Sequence, residues 1–407
     1  MRILHTADWH LGKIFHEHSL LEDQRLILDR ILEHIQTTEY DIMLIAGDIH
    51  DRAIPPAEAV SLLSEFLRKL RGSHPDLKVF IIPGNHDSAR RLAYGDEIFA
   101  LSGIHFHTDP LAVDRPVTIG PADDPVNIYG IPFLFPGTYS DHAREGEAPR
   151  RGHDQVTAQA LEKINAVKND AEWNVLVAHL FTVGGQESES ERTYVGTAGH
   201  VPASIFDGFD YTALGHLHKP QRVRDNVWYS GSPMKYSFSE AEHAKGLLSI
   251  ELKRDGAGAK TIQVERVPLE PARDMRRLKG AFEEFLNGTA FDEYVNDYLE
   301  IELTDDDIVM NPAGLLNKKF PFLLAVRQQA ARKQTSGLAG RKSAGGVNPE
   351  QDFAAFYEYL HGEKPAGGEL QLFREIRRVG AGETAEGSES ASGGREPVAA
   401  GEKHETP

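Results

Sequence analysis

Asp41-Ile42-Met43-Leu44-Ile45-Ala46-Gly47-Asp48-Ile49-His50-Asp51 is the stretch that decides the fold. An unbroken apolar run of this length, with no polar alternation, has the composition of a strand covered on both faces, as in a parallel sheet. A glycine then allows a tight turn, and side chains able to bind a cation come directly after it. The same order recurs on either side. Arg2 to Leu4 leads to Asp8 and His10, and Lys78 to Ile82 leads to Gly84-Asn85-His86-Asp87. Asn174 to Ala178 leads to His179, and Tyr211 to Leu214 leads to Gly215-His216-Leu217-His218.

Between these runs lie amphipathic helices. Ser19 to Gln36 opens on a capping-box pattern, Ser19 with Glu22, and sets Leu28, Ile31, Leu32 and Ile35 on one face. Ala57 to Arg71 follows Pro55-Pro56 and repeats Val60, Leu63, Phe66, Leu67 and Leu70. Alternating strands and helices imply an α/β layered domain over residues 1–265. Ile104 to Phe135 lacks a helical period and reads as antiparallel edge strands. In an open α/β sheet, ligands sit beyond the carboxyl ends of the strands. Asp8, His10, Asp48, Asn85, His179, His216 and His218 are therefore expected to converge on one edge.

That set suits two divalent ions. Nitrogen and oxygen donors rich in imidazole favour Mn, Fe or Zn over Mg, and a shared carboxylate offsets the repulsion of ions about 3.5–4 Å apart. The glycines before Asp48, Asn85 and His216 let the backbone come close. Asp-x-His alone is a weak signal; the whole series in order at strand ends is a strong one.

The chain has 407 residues, which points to about two or three domains, and it contains no cysteine. Disulfides, thiolate zinc sites, iron–sulfur clusters and cysteine nucleophiles are excluded. Lys and Arg number 44 against 62 Asp and Glu, a net charge of −18, which argues against indiscriminate nucleic-acid binding. No secretion signal opens the chain and no apolar run approaches the roughly 18 residues that cross a bilayer, so a cytoplasmic protein is expected.

Past residue 265 the pattern changes. Asp274 to Leu286 reads as a helix, Tyr298 to Leu303 as a strand, and a further helix follows, giving a small α+β domain over 266–328. Residues 329–348 read as a flexible basic linker, 349–379 as a pair of helices and 380–407 as a disordered tail. From Lys318 to Pro349 the chain carries Lys318, Lys319, Arg327, Arg332, Lys333, Arg341 and Lys342 with no acidic residue, a candidate phosphate-contacting stretch or simply a solvated face. Arg90 and Arg91 are further candidates for phosphate contact. In the helix pair Phe353, Phe356, Tyr357 and Leu360, then Leu370, Phe373 and Ile376, recur at helical spacing.

The order Asp-x-His, Gly-Asp-x-x-Asp, Gly-Asn-His-Asp, His, Gly-His-x-His resembles the calcineurin-like metallophosphoesterase superfamily, and within it the nuclease subunits of SbcCD-type complexes. Four stretches narrow the likeness: His5 to Gly12, Pro83 to Ser88, the loop Gly184-Gly185 to Ser190-Glu191-Arg192, and Tyr229 to Ser237. The resemblance implies a sandwich domain with a capping domain, in which Asp8, His10 and His218 hold one ion, Asn85, His179 and His216 the other, and Asp48 bridges. It implies that His86 is a general acid or phosphate stabiliser oriented by Asp87, although Asp87 also fits a plain helix cap. His50 stands where family members often carry an aromatic residue and is read as no ligand. His5, His105, His107 and His200 read as filler.

The same resemblance implies Mn²⁺-dependent 3′→5′ exonuclease activity on duplex ends and endonuclease activity on single strands and hairpins. It implies DNA and an SbcC-type SMC-like ATPase as partners, the latter gripped by the C-terminal helices, and a homodimer of the nuclease subunit with no membrane. A phosphatase or small-molecule phosphodiesterase on the same fold, and a scaffold that had lost its ligands, are the alternatives. A small substrate needs no capping domain, and no ligand is lost here.

Overall fold

A computed structural model describes residues 1–139, 152–191, 201–328, 349–361 and 363–380. The linker over 329–348, the tail beyond 380 and His200 lie outside the described residues. Residues 1–332 form one compact unit and 333–407 another.

Two six-stranded mixed sheets face one another in the first unit. One runs in the order Lys260–Pro268, Gly246–Arg254, Arg2–Thr6, Ile42–Ala46, Lys78–Ile82, Ile104–Phe106. Its last four strands are mutually parallel. The other runs Gln221–Arg224, Val227–Tyr229, Tyr211–Gly215, Trp173–His179, Val126–Ile131, Val117–Ile119, parallel across its four central strands.

The apolar runs explain the layering. Along Ile42–Ala46, Ile42 and Leu44 point between the sheets with Ile3, Phe80, Ile128, Val175 and Ala213. Met43 and Ile45 point the other way, onto Ile31 and Ile35 of the Leu21–Thr37 helix and Phe66 and Leu70 of the Ala57–Ser73 helix. On the second sheet Leu176 and Leu214 meet Val156, Ala160 and Ile164 of the His153–Val167 helix. Strands with both faces covered need no polar alternation, and the result is helix, sheet, sheet, helix.

Several local expectations change. Ser19 pairs with Ile14 in a two-residue strand, and the first helix starts at Leu21 with no side-chain cap, so the capping box does not form. Val60 is exposed, because the buried face of its helix runs through Ala59, Leu62, Leu63 and Phe66. Between Ile104 and Phe135 only Val117–Ile119 pairs antiparallel, since Ile104–Phe106 and Val126–Ile131 join parallel neighbours.

Asp274 to Leu286 is not one helix. Met275–Gly280 is a strand, and only Phe282–Leu286 is helical. Cross-strand charge decides it: Arg277 pairs with Glu300 at 2.6 Å and Lys279 with Glu302 at 3.0 Å on the parallel Tyr298–Leu303 strand. Leu323–Gln328 completes a three-stranded sheet with its own core of Phe285, Leu299, Ile301, Leu316 and Phe320. Buried Asp23 of the first helix fastens this sheet to the main body, accepting from Arg273 at 2.9 Å and from the Tyr298 hydroxyl at 2.7 Å.

His107 stacks on Phe80 between the sheets, and burial lowers its pKa to about 4. The unfolded chain takes up this proton below about 6.5 and the fold refuses it, so stability is present above pH 6.5 and is lost as pH falls toward 4. His107→Phe is expected to flatten the pH dependence of the denaturation midpoint in that window by up to one proton. An unchanged slope would contradict this.

Candidate metal centre

Each candidate ligand leaves the carboxyl end of a strand. Asp8 and His10 follow Arg2–Thr6, Asp48 follows Ile42–Ala46, and Asn85 and His86 follow Lys78–Ile82. His179 ends its own strand, and His216 and His218 follow Tyr211–Gly215. The loops are knit by backbone bonds, Asp8 N–H to Gly47 at 3.0 Å and His10 N–H to Asp48 at 2.9 Å. The turns are unusually sharp: Asp8, His10, Asp48 and His216 all take positive φ, at 55°, 45°, 48° and 103°. Non-glycine residues occupy that region mainly where surrounding structure enforces it, and such strain gathers at functional sites. Gly215 is required for closeness, since a Cβ there would lie 1.8 Å from the Ala46 carbonyl oxygen.

The donor atoms converge. His10 Nε2 and His218 Nε2 are 3.0 Å apart, and Asp8, His10 and His218 can place one ligand atom each within 4.8 Å of the others. Asn85 Oδ1 is 3.0 Å from both His179 Nε2 and His216 Nδ1. Asp48 lies between the two groups, its Oδ2 3.7 Å from His10 Nε2 and 3.4 Å from His179 Nε2. Its other oxygen takes the His86 N–H at 2.8 Å. All seven candidate ligands are thus brought together, in two groups sharing one carboxylate.

Burial makes this cluster costly without cations. It drives the Asp8 pKa up to about 7. It also opposes ionised Asp48, yet His179, His10 and His86 hold that carboxyl well below its usual range. Burial likewise disfavours charged His179, but Asp48 and Asp8 raise its pKa to about 9. Burial lowers His216 to about 3 and His218 to about 4, leaving them as the neutral imidazoles that bind metals. Buried carboxylates and neutral imidazoles aimed at shared points, with no sulfur, fit divalent cations of borderline hardness.

His86 is buried beside the cluster, its Nε2 3.9 Å from Asp48 and its Nδ1 on the Asp51 carbonyl at 2.8 Å. Asp87 does something other than the expected orienting. Its carboxylate accepts the backbone N–H groups of Ile49, His50 and Gly84 at 2.9–3.0 Å, so it locks the two ligand-bearing loops together. His50 Nδ1 sits 3.5 Å from Asp87, and His5 is bonded to the Tyr211 hydroxyl between the sheets.

The basic stretch is partly spoken for. Lys319 pairs with Asp292 at 2.8 Å and Arg327 with Glu300 at 2.8 Å. Arg332, Lys333, Arg341 and Lys342 lie outside the described residues. Arg90 and Arg91 are exposed and, with Arg52, line a cavity of about 850 Å³ beside the centre.

Sequence reasoning missed the residues behind the ligands. Asp51 stands 3.5 Å from His10, Ser190 and Glu240 touch His218 Nδ1, and Glu191 accepts the His218 N–H at 2.6 Å. Phe133 stacks on the His216 ring at 6.4 Å and the Tyr236 ring lies 5.4 Å from that of His10. Asp51 and Ser190 fall inside the motifs that carry the resemblance. Glu240 comes soon after one of them, but nothing in its neighbours marks it as buried.

In the second unit, Pro349–His361 and Gly367–Gly380 form a helix pair. Phe353 stacks on Phe373 at 4.3 Å, and Arg374 grips Glu350 with two bonds, leaving Phe356, Leu372 and Ile376 exposed. No helix among the described residues is long and apolar enough to cross a membrane.

The sequence profile described as calcineurin-like phosphoesterase matches residues 1–220, and that described as type 5 capsule protein repressor C-terminal domain matches 271–359. The D subunit of the SbcCD nuclease of Staphylococcus saprophyticus is 33% identical over 369 residues, spanning 89% of this chain and 94% of that one. Among solved structures, the calcineurin-like phosphoesterase YfkN from Bacillus subtilis aligns at a TM-score of 0.32 and 13% identity, over 66% of this chain and 90% of its own. A dimetal phosphatase from Danio rerio aligns at 0.39 and 12%, over 66% and 98%.

Proposed function

The chain belongs to the calcineurin-like phosphoesterase family and is a homologue of the D subunit of the SbcCD nuclease, and from that premise we propose that its centre is a two-ion DNA phosphodiesterase. The observation that carries the reading is the convergence of Asp8, His10, Asp48, Asn85, His179, His216 and His218, with His86 beside them. Asp8, His10 and His218 are assigned to one ion, Asn85, His179 and His216 to the other, and Asp48 to both.

When bound, two divalent ions supply charge to the phosphate and acidify a water. Mn²⁺ is the proposed ion, on the imidazole-rich donor set. The protein's part is to fix the donors on strained turns, and to hold a proton at His86 Nε2 for the departing oxygen. The Asp51 carbonyl accepts from Nδ1 and turns Nε2 toward the centre. Asp87 keeps the Asp48 and Asn85 loops in register.

The proposed activities are 3′→5′ exonuclease on duplex ends and endonuclease on hairpins and single strands, serving DNA repair, recombination and replication in the cytoplasm. The proposed protein partner is an SbcC-type ATPase bound by the C-terminal helices. Cleavage of end-labelled duplex, hairpin and circular single-stranded DNA with Mn²⁺, beside nitrophenyl phosphate esters, tests the reading. Efficient ester turnover with intact DNA would transfer the chain to the phosphatase reading.

A homodimer of this nuclease chain is proposed as well, and its surface can be named. On and beside the Asp96–Leu101 helix, Tyr94, Ile98 and Leu101 are 87%, 73% and 89% exposed, with Val60 of a neighbouring helix exposed as well. Apolar side chains gathered at one edge in this way mark interaction sites. Ile98→Asp with Leu101→Asp is expected to turn the dimer into a monomer by light scattering, with the metal content unchanged. A variant that stays dimeric would move the interface elsewhere.

A further inference from the structure

The two ion positions differ in what stands behind their ligands. At the Asp8, His10 and His218 position, both imidazoles are backed by carboxylates. His218 Nδ1 lies 2.8 Å from Ser190 Oγ and 3.2 Å from Glu240 Oε1. Glu240 is fully buried, and its other oxygen is paired with the buried ammonium of Lys245. Lys245 also donates to the His218 carbonyl at 2.7 Å and to Ser232 at 2.8 Å, so pair and ring form one fixed block. His10 Nδ1 faces Asp51 at 3.5 Å, and Asp51 is paired with Lys13 at 2.9 Å. The relay of lysine, carboxylate and imidazole thus occurs twice.

The other position has neutral support. His179 Nδ1 donates to the Ala46 carbonyl at 2.8 Å, and His216 rests on the face of Phe133. The ligand contributed by the third strand is Asn85, an amide, where the first position has the carboxylate of Asp8. Asp48 is common to both. A carboxylate on the outer nitrogen fixes the tautomer and orientation of a ligating imidazole and makes it a better donor, typically by 10–100-fold in metal affinity.

We infer that the positions load in order: the Asp8, His10 and His218 position takes the first ion and holds it the more tightly, and the Asn85, His179 and His216 position takes the second, exchangeable one. Glu240 and Asp51 are the positioning residues that create the difference. This rests on the ligand assignment proposed above. It means that the centre at low metal is occupied by one ion, with its second ion set by supply.

The test is titration of the metal-free full-length chain with MnCl₂, followed by calorimetry and by electron paramagnetic resonance. Two successive equivalents are expected, the first at least tenfold tighter. An isolated Mn²⁺ spectrum should appear at one equivalent and give way to a spin-coupled one at two. Asn85→Ala should lose only the weaker class. Glu240→Gln combined with Lys245→Met, which leaves no orphaned buried cation, should weaken the first class by about 10–100-fold. Asp51→Asn, at the more accessible relay, should weaken the same class and serves if the buried double variant does not fold. Two equal equivalents in the unaltered protein, or loss of the tighter class in Asn85→Ala, would overturn the order. Fewer than two ions per chain would instead overturn the ligand assignment beneath it.

Discussion

Asp48→Ala is expected to empty the centre: both ions lost from the purified protein and DNA cleavage reduced to background. Its carboxylate is the one group within reach of both ligand sets, 3.7 Å from His10 Nε2 and 3.4 Å from His179 Nε2. It also receives the His86 N–H, so its removal unfastens the neighbouring loop. His86→Ala is the contrasting case. The imidazole lies beside the ligands, and its assigned task is a proton for the leaving oxygen. Both ions should stay while cleavage falls by about a hundredfold or more, the usual scale for a general acid. Metal counting by native mass spectrometry separates the two. Loss of ions in His86→Ala, or normal turnover, would reverse its role.

Deleting residues 349–379 is expected to abolish association with the SMC-like ATPase. The helix pair is held together from within, by the Phe353–Phe373 stack and the Arg374–Glu350 pair. Those contacts leave Phe356, Leu372 and Ile376 facing outward, and helices this short need a surface to lean on. Anchors at helical spacing bind by filling a groove, and a few of them carry most of the affinity. Phe356→Ala and Ile376→Ala should therefore each weaken binding severely with the helix pair intact, whereas Phe353→Ala acts by loosening the pair. Cleavage of short single-stranded DNA should survive the deletion, because every assigned ligand precedes residue 219. Full-strength binding by the shortened chain would place the interface elsewhere.

Much of the fold and the centre was legible in the sequence, for a physical reason. Strands covered on both faces must be continuously apolar, so Ile42 to Ala46 and its counterparts declare themselves without context. A parallel sheet then sends the residues after each strand to one edge, which is why ligands spread over more than two hundred positions could be gathered by reading. Met275–Gly280 misleads because Arg276, Arg277 and Lys279 look like a helix surface until Asp297, Glu300 and Glu302 are found opposite. Lys319 and Arg327 read as free cations for the same reason: their acidic partners lie 27 residues away in each case. Asp87 and Glu240 mark the deeper limit. A carboxylate's task depends on which backbone N–H or imidazole folding brings to it, and neither neighbour is close in sequence.

The central claim is that two ions at this centre cleave DNA, and one measurement meets it directly. Metal-free full-length chain is titrated with Mn²⁺ while bound ions and cleavage of an end-labelled DNA hairpin are followed in the same samples. Cleavage is expected to rise with the second ion and to level off at two ions per chain, with none before metal is added. Full cleavage at one ion per chain, or a loaded two-ion protein that leaves the hairpin intact, would contradict it.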